Sequence, residues 1–233
     1  MKRLVLFDID GTLLSTDGAP RRAFHRAMLE VYGTAGPIAT HPFDGKTDPQ
    51  IARELLTEAG LPDGAVDTGL MALWRAYLRE LSVEFAQPGC RTTVLPGIRP
   101  LLDAMTQRPN DIVLGLLTGN IEEGAVLKLG SADIRTPFRV GAFGSDCERR
   151  DGLPGIAVSR ALETVGVEFS TTDIVIIGDT PSDVTCGRSL GARAIGVATL
   201  GTRDRFCLPA CLPRLCHDQK PVVCCLSRLL ELP

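Results

Sequence analysis

The sequence predicts an α/β fold: a doubly wound parallel sheet with an inserted α-helical cap domain. Three observations carry this. Continuous apolar runs at 4–7, 112–117 and 174–177 read as strands covered on both faces. Beyond residue 91, such runs alternate with stretches of helical periodicity, the pattern of parallel strands joined by crossover helices. Between the first strand and this alternating region lies a block, 14–90, whose apolar spacing is helical throughout. The core would comprise 1–13 and 91–233, and the cap 14–90.

The first strand, Leu4-Val5-Leu6-Phe7, runs into Asp8-Ile9-Asp10-Gly11-Thr12 and so delivers two carboxylates to its C-terminal end. Ligands of open α/β sheets bind at that end. Paired carboxylates repel, and a bound cation or a shared proton is the usual compensation. Ala23, Phe24, Ala27, Met28 and Val31 then fall on one helical face, and Gly33 ends the run. A Gly- and Pro-containing loop leads to Asp48-Pro49, read as an N-cap with proline at the first helical position. Ile51, Ala52, Leu55 and Leu56 continue that helix. A longer one carries Leu70, Leu73, Trp74, Tyr77, Leu78 and Leu81 at spacings of three and four. An insertion leaving the core just after Asp10 is placed to act as a lid.

The core resumes with a helix over 98–107 and the strand 112–117, which ends in Thr118-Gly119-Asn120. A helix over 121–129 follows, with Asn120 at its start and Glu123 as capping partner. A short strand near 140–143, a helix over 154–165 and the strand 173–177 come next. That strand ends in Gly178-Asp179-Thr180-Pro181-Ser182-Asp183, which fits a capping box opening a helix over 181–190. A last core strand spans 192–198.

The composition narrows the class. A hydrophobic fraction of 44% supplies a core, and a net charge of −3 argues against a nucleic-acid partner. No run reaches membrane-spanning length, and four apolar residues after Met1-Lys2-Arg3 are too few for a signal peptide, so a cytoplasmic protein is expected. Cys207, Cys211, Cys216, Cys224 and Cys225 crowd the end of the chain. They lack paired CxxC spacing and have only His217 nearby, so reduced thiols are favoured over a zinc site. Pro209, Pro213 and Pro221 break any long helix there, although 222–226 could form an edge strand. A composition change this sharp also fits a shifted reading frame. His25, His41 and His217 form no ligand-spaced cluster and read as structural or surface residues.

DxDGT at residues 8–12, a strand-terminal Thr118 and GDxxxD at residues 178–183 occur in this order after three strands. In this the chain resembles the haloacid dehalogenase (HAD) superfamily, closest to its phosphoglycolate phosphatase-like hydrolases, from residue 2 to about 198. The resemblance implies a Rossmann-like core with the first strand central and a lid that reads the substrate. It makes Asp8 the nucleophile that forms an aspartyl-phosphate and Asp10 the general acid and base. A second acid at this position favours phosphate chemistry over carbon–halogen cleavage. Asp8, the backbone carbonyl of Asp10, and Asp179 would hold Mg²⁺, with Asp183 binding directly or through water.

Thr118 would clamp the phosphate, with Gly11, Thr12, Gly119 and Asn120 supplying further contacts around it. Relatives place a Lys near nucleophile and phosphate after the third strand, where this chain has Arg149-Arg150 and no Lys. Lys128 and Arg150 are the two candidates, the reading leaning to Lys128 with Arg150 as substitute or ion-pair partner. Lys46, in a Gly-flanked lid loop, is the candidate for substrate contact or else an exposed loop lysine. The implied partner is a small phosphorylated metabolite, and the implied assembly a monomer or homodimer. A β-phosphoglucomutase-like phosphomutase and a non-catalytic phosphate- or partner-binding relative are the alternatives.

Overall fold

The computed structural model describes residues 2–197, and the Cys-rich segment read above lies outside them. A five-stranded sheet forms the centre, in the order β5 (Val140–Ala142), β4 (Ile112–Leu117), β1 (Arg3–Phe7), β6 (Ile174–Gly178) and β7 (Arg193–Gly196). All of its pairings are parallel: β1 with β4 and β6, then β5 and β7 outside them. The first strand is central, as expected.

The apolar runs are continuous because both faces are covered. Val5, Phe7, Leu114, Leu116, Val175 and Ile177 pack on one side against α4 (Ile98–Thr106) and α5 (Glu122–Ser131). Leu4, Leu6, Val113, Leu117, Ile174 and Ile176 face the other side, where α6 (Leu153–Val165) lies. Register then aligns the chemistry. Phe7 pairs with Leu116 and with Ile177, so Asp8, Thr118 and Asp179 emerge together at the C-terminal edge.

Three helices, α1 (Ala19–Tyr32), α2 (Asp48–Glu58) and α3 (Asp63–Ala86), share a separate apolar cluster above that edge. Phe24 sits at its middle, edge-on to Tyr77 at 5.1 Å and to Phe43 at 6.0 Å. Gly33 closes α1 with φ of 69°. Ile121, at the start of α5, is buried in this same cluster and joins it to the sheet layers.

Four details differ from the sequence reading. Leu14–Ser15 (β2) pairs antiparallel with Thr93–Val94 (β3), so the two crossings to the three-helix unit form a ribbon at the edge of the block expected to be all helical. A two-residue strand leaves no periodicity to read. Thr47, not Asp48, caps α2, its hydroxyl accepting from the Gln50 N–H while Asp48 points across to the core. Helix α5 begins at Glu122 behind Ile121, because the Asn120 side chain is drawn to Asp10 and Lys128 instead. The helix opening at Pro181 (α7) ends at Cys186, and a 3-10 turn at Arg188–Leu190 follows. Gly187 packs so tightly that an added Cβ would stand 2.5 Å from Ile176. The capping box is as read: Thr180 and Asp183 bond each other's backbone N–H. No helix among the described residues is long and apolar enough to cross a membrane.

Candidate active site

Asp8 follows β1 directly, and its own N–H is fixed by the Ile177 carbonyl at 2.9 Å. Asp8 as a whole residue is 6% exposed. Asp179 comes from the end of β6 and Asp183 from the first turn of α7. One oxygen from each of these three acids lies within 4.8 Å of the others, all buried. Arg150, in a 3-10 turn before α6, enters the group from the side. Its Nη2 donates to Asp183 and stands 3.1 Å from Asp8 Oδ1. Its buried Nε has no hydrogen-bond partner.

The electrostatics follow from this crowding. Burial pushes the Asp8 carboxyl up to about 7; Arg150 pulls it down, and Asp183 and Asp10 push it further up. Burial likewise raises Asp179 to about 7, helped by repulsion from Asp8 and Asp183. Three carboxylates facing one guanidinium leave two negative charges uncompensated when all are ionised. An all-oxygen acidic set with unmatched charge suits a hard divalent cation, so these residues fit the metal that the resemblance implied.

Asp10 belongs to a different set. Its side chain is 41% exposed, and its Oδ2 accepts from Lys128 Nζ at 2.7 Å and from Asn120 Nδ2 at 2.9 Å. Asn120 is oriented by chemistry at both ends: its amide NH₂ also donates to Thr118 Oγ1 at 2.7 Å, and its carbonyl oxygen accepts from Lys128. Lys128 is buried on α5. The two candidate cations are therefore divided: Arg150 is the partner of Asp8, and Lys128 the partner of Asp10. Both cations line the same cavity, Arg150 on the Asp8 side and Lys128 on the Asp10 side.

The remaining predicted positions separate into wall and backing. Thr118, Gly119, Asn120 and Lys46 line a cavity of about 260 Å³ shared with Asp8, Asp10, Asp179 and Arg150. Gly11 and Thr12 stand behind the carboxylates. Gly11 has φ of 77°, and a Cβ there would overlap the Asp179 carboxylate. Thr12 is fully buried and donates to Asp179 Oδ1 at 3.4 Å. Lys46 is paired with Glu54 and lies 3.3 Å from the buried His41.

Some residues of the site gave no functional signal in the sequence. Arg21, Phe24 and Tyr77 line the cavity from the three-helix unit. Phe24 and Tyr77 read as ordinary members of apolar helix faces, which they also are. Asp48 read as a cap. Instead its Oδ2 accepts from the Ile121 N–H at 2.8 Å and its own N–H donates to the Gly119 carbonyl at 2.7 Å. Burial raises its carboxyl to about 6, with Lys128 and the Ile121 N–H pulling the other way. Arg53 adds a second tie, its Nε 2.9 Å and 3.0 Å from the two Glu148 oxygens.

Acids gathered at the C-terminal edge of a parallel sheet, a buried cation beside one and a cavity over them place the chain among Rossmann-like α/β proteins that bind ligands at that edge. Residues 5–197 match the haloacid dehalogenase-like hydrolase family, and the chain belongs to it. It is 26% identical over 198 residues to a phosphoglycolate phosphatase of Pseudomonas putida, covering 84% of this chain and 70% of that one. Among solved structures it resembles CbbY from Rhodobacter sphaeroides in complex with phosphate, at a TM-score of 0.63 and 22% identity. That likeness covers 87% of this chain and 89% of CbbY. A hydrolase from Pseudomonas syringae is similar at a TM-score of 0.61 and 18% identity, over 88% and 90% of the two chains. At these identities the solved structures speak to the fold alone.

Proposed function

We propose that the protein is a Mg²⁺-dependent phosphatase that hydrolyses a small phosphate monoester through an aspartyl-phosphate. The observation that carries this reading is the division of labour between two acids two residues apart. Asp8 is buried against a guanidinium, and Asp10 is open to the cavity and held by an ammonium and an amide. The curated relatives named phosphoglycolate phosphatase support the same class.

In this reading Asp8 attacks phosphorus, and an Asp8–phosphorus bond forms as the bond to the leaving oxygen breaks. Asp10 gives its proton to that oxygen. It then takes a proton from water as the water attacks phosphorus, freeing Asp8 and inorganic phosphate. Arg150 offsets charge beside Asp8 and offers its unpartnered Nε–H to the phosphoryl group. Thr118 and the Gly119 backbone flank the same space. Asp8, Asp179, Asp183 and the Asp10 carbonyl would hold Mg²⁺, which neutralises the acids so that two anions can meet. We read α1–α3 as the lid over this site, with the core formed by the segments before and after it.

The test is hydrolysis of p-nitrophenyl phosphate with and without Mg²⁺, for wild type and Asp8→Asn. Mg²⁺-dependent turnover that the substitution abolishes is expected. Turnover surviving in Asp8→Asn refutes the assignment of the nucleophile, and a requirement for a bisphosphate activator replaces the phosphatase by a mutase.

A further inference from the structure

Asp48 is the only described residue of α1–α3 whose side chain accepts a hydrogen bond from the backbone of the strand-end loop carrying Thr118, Gly119 and Asn120. It holds that loop at both ends: its N–H binds the Gly119 carbonyl, and its carboxylate binds the Ile121 N–H. Asn120 is the residue between. Its side chain bonds Asp10, Thr118 and Lys128. Its own carbonyl is taken by the Gly144 N–H at 2.8 Å, so its backbone has little slack.

Local sequence does not supply this clamp. Ile121 precedes α5 without a side-chain acceptor of its own, and Asp48 provides one from 73 residues upstream. The negative charge also meets the positive end of a ten-residue helix. Gly119 admits the approach: a Cβ there would overlap the Lys46 carbonyl, so the loop and the lid segment touch backbone to backbone. Withdrawing α2 from the core would release the Gly119 carbonyl and the Ile121 N–H together.

We propose that Asp48 is a positioning residue that sets the general acid, Asp10, through Asn120 when the three-helix unit is seated. Asp48 does not touch the reacting atoms in this scheme. It fixes the tripeptide whose middle side chain aims the Asp10 carboxylate. The proposal rests on the phosphatase reading above and adds that proton delivery depends on a residue of the lid.

The test compares two esters in Asp48→Ala and Asp48→Asn. An alkyl phosphate needs a proton on its leaving oxygen, whereas p-nitrophenyl phosphate leaves as a stable phenolate. Asp48→Ala is expected to lower kcat on the alkyl ester roughly 10–100-fold and on the aryl ester about threefold or less. Asp48→Asn keeps the acceptor for Ile121 and should recover most of the alkyl activity. Backbone hydrogen exchange gives an independent readout: the Ile121 amide should exchange faster in Asp48→Ala and remain protected in Asp48→Asn. Should Asp48→Ala not fold, Asp48→Glu displaces the acceptor while keeping the charge and should show the same split between esters. Equal losses on both esters, or an Ile121 amide unmoved by the alanine, overturn the proposal and leave the phosphatase reading intact. Wild type inactive on both esters refutes the phosphatase reading and the coupling with it.

Discussion

Asp8 and Asp10 are neighbours in sequence but belong to two differently built halves of one site. The Asp8 half joins two strand-end acids, Asp8 and Asp179, to Asp183 in the first turn of α7 and Arg150 in the 3-10 turn before α6, all at most 8% exposed. The Asp10 half is reached by longer routes, through Lys128 on α5, Asn120 on a loop and Asp48 on a separate helical unit. The first half inherits its geometry from the register of the central sheet. The second is assembled by side chains whose backbones lie in different layers. In the proposed scheme a phosphoryl acceptor benefits from rigidity, whereas a group that must face first an alcohol and then water needs access, which the exposure of Asp10 would supply.

The largest effect should separate the halves outright. Asp8→Asn is expected to lower kcat by about 10⁴ or more on any ester, because no other group can accept the phosphoryl. Asp10→Asn should cost about 10²–10⁴ on alkyl phosphates and much less on aryl phosphates. Leaving-group dependence of kcat distinguishes the two, and a uniform loss in Asp10→Asn would erase the distinction drawn here.

The cations come next. Arg150→Met should lower kcat about 100-fold on both kinds of ester, since it leaves Asp8 and Asp183 without their partner. Lys128→Met should cost about tenfold and mainly on alkyl esters, since it loosens Asp10 and the Asn120 that aims it. Equal patterns from the two variants would contradict the division of cations seen in the structure.

A metal titration sharpens the first half further. Asp8 and Asp179, both raised to about 7, must shed protons to accept a cation. Mg²⁺ affinity, measured by calorimetry, should tighten as pH rises from 6 to 8, with proton release on binding. The stability of the metal-free protein should change the opposite way. Folded-state values above the unfolded 3.8 favour the protonated forms, so stability is highest below about pH 4 for these groups and is lost as pH rises through 7. Mg²⁺ should therefore raise Tm more at pH 8 than at pH 5.5.

The smallest effect concerns Asp48. Its carboxyl is raised from 3.8 to about 6, so its protonated form is the stabilising one and its contribution fades as pH rises through 6. Asp48→Asn should raise stability at pH 8 by at most about 3 kcal/mol and have almost no effect near pH 4. Thermal melts at the two pH values check this, and a variant destabilised at pH 8 would show that the charge itself is needed.

Much of the first half was legible in the sequence, because strands that run straight into acids declare both the sheet and its functional edge. The run 112–117 matched β4 residue for residue, and Thr180 with Asp183 formed the capping box that their spacing suggested. The second half was less legible. Asp48-Pro49 carries a helix-start signal that Thr47 satisfies instead, and nothing local says that a freed carboxylate will cross to another helix. Lys128 and Arg150 could not be sorted by position in the chain. A long side chain reaches wherever its backbone is turned, and for Lys128 that turn is set by the packing of Ala125 and Leu129 of α5 against the sheet.

The ribbon of Leu14–Ser15 and Thr93–Val94 has a mechanical meaning. Both chain crossings into the three-helix unit run through it, tied to each other and to the core by Gly11 N–H to the Leu14 carbonyl at 2.9 Å and Leu95 N–H to the Leu13 carbonyl at 2.9 Å. Two strands laddered side by side bend easily across their face, but sliding one along the other breaks the ladder. The three-helix unit thus joins the core through a paired ribbon whose ladder resists sliding sideways over the acids. Gly11 bonds the ribbon at Leu14 and packs on Asp179, so the ribbon is anchored directly beside the acid cluster.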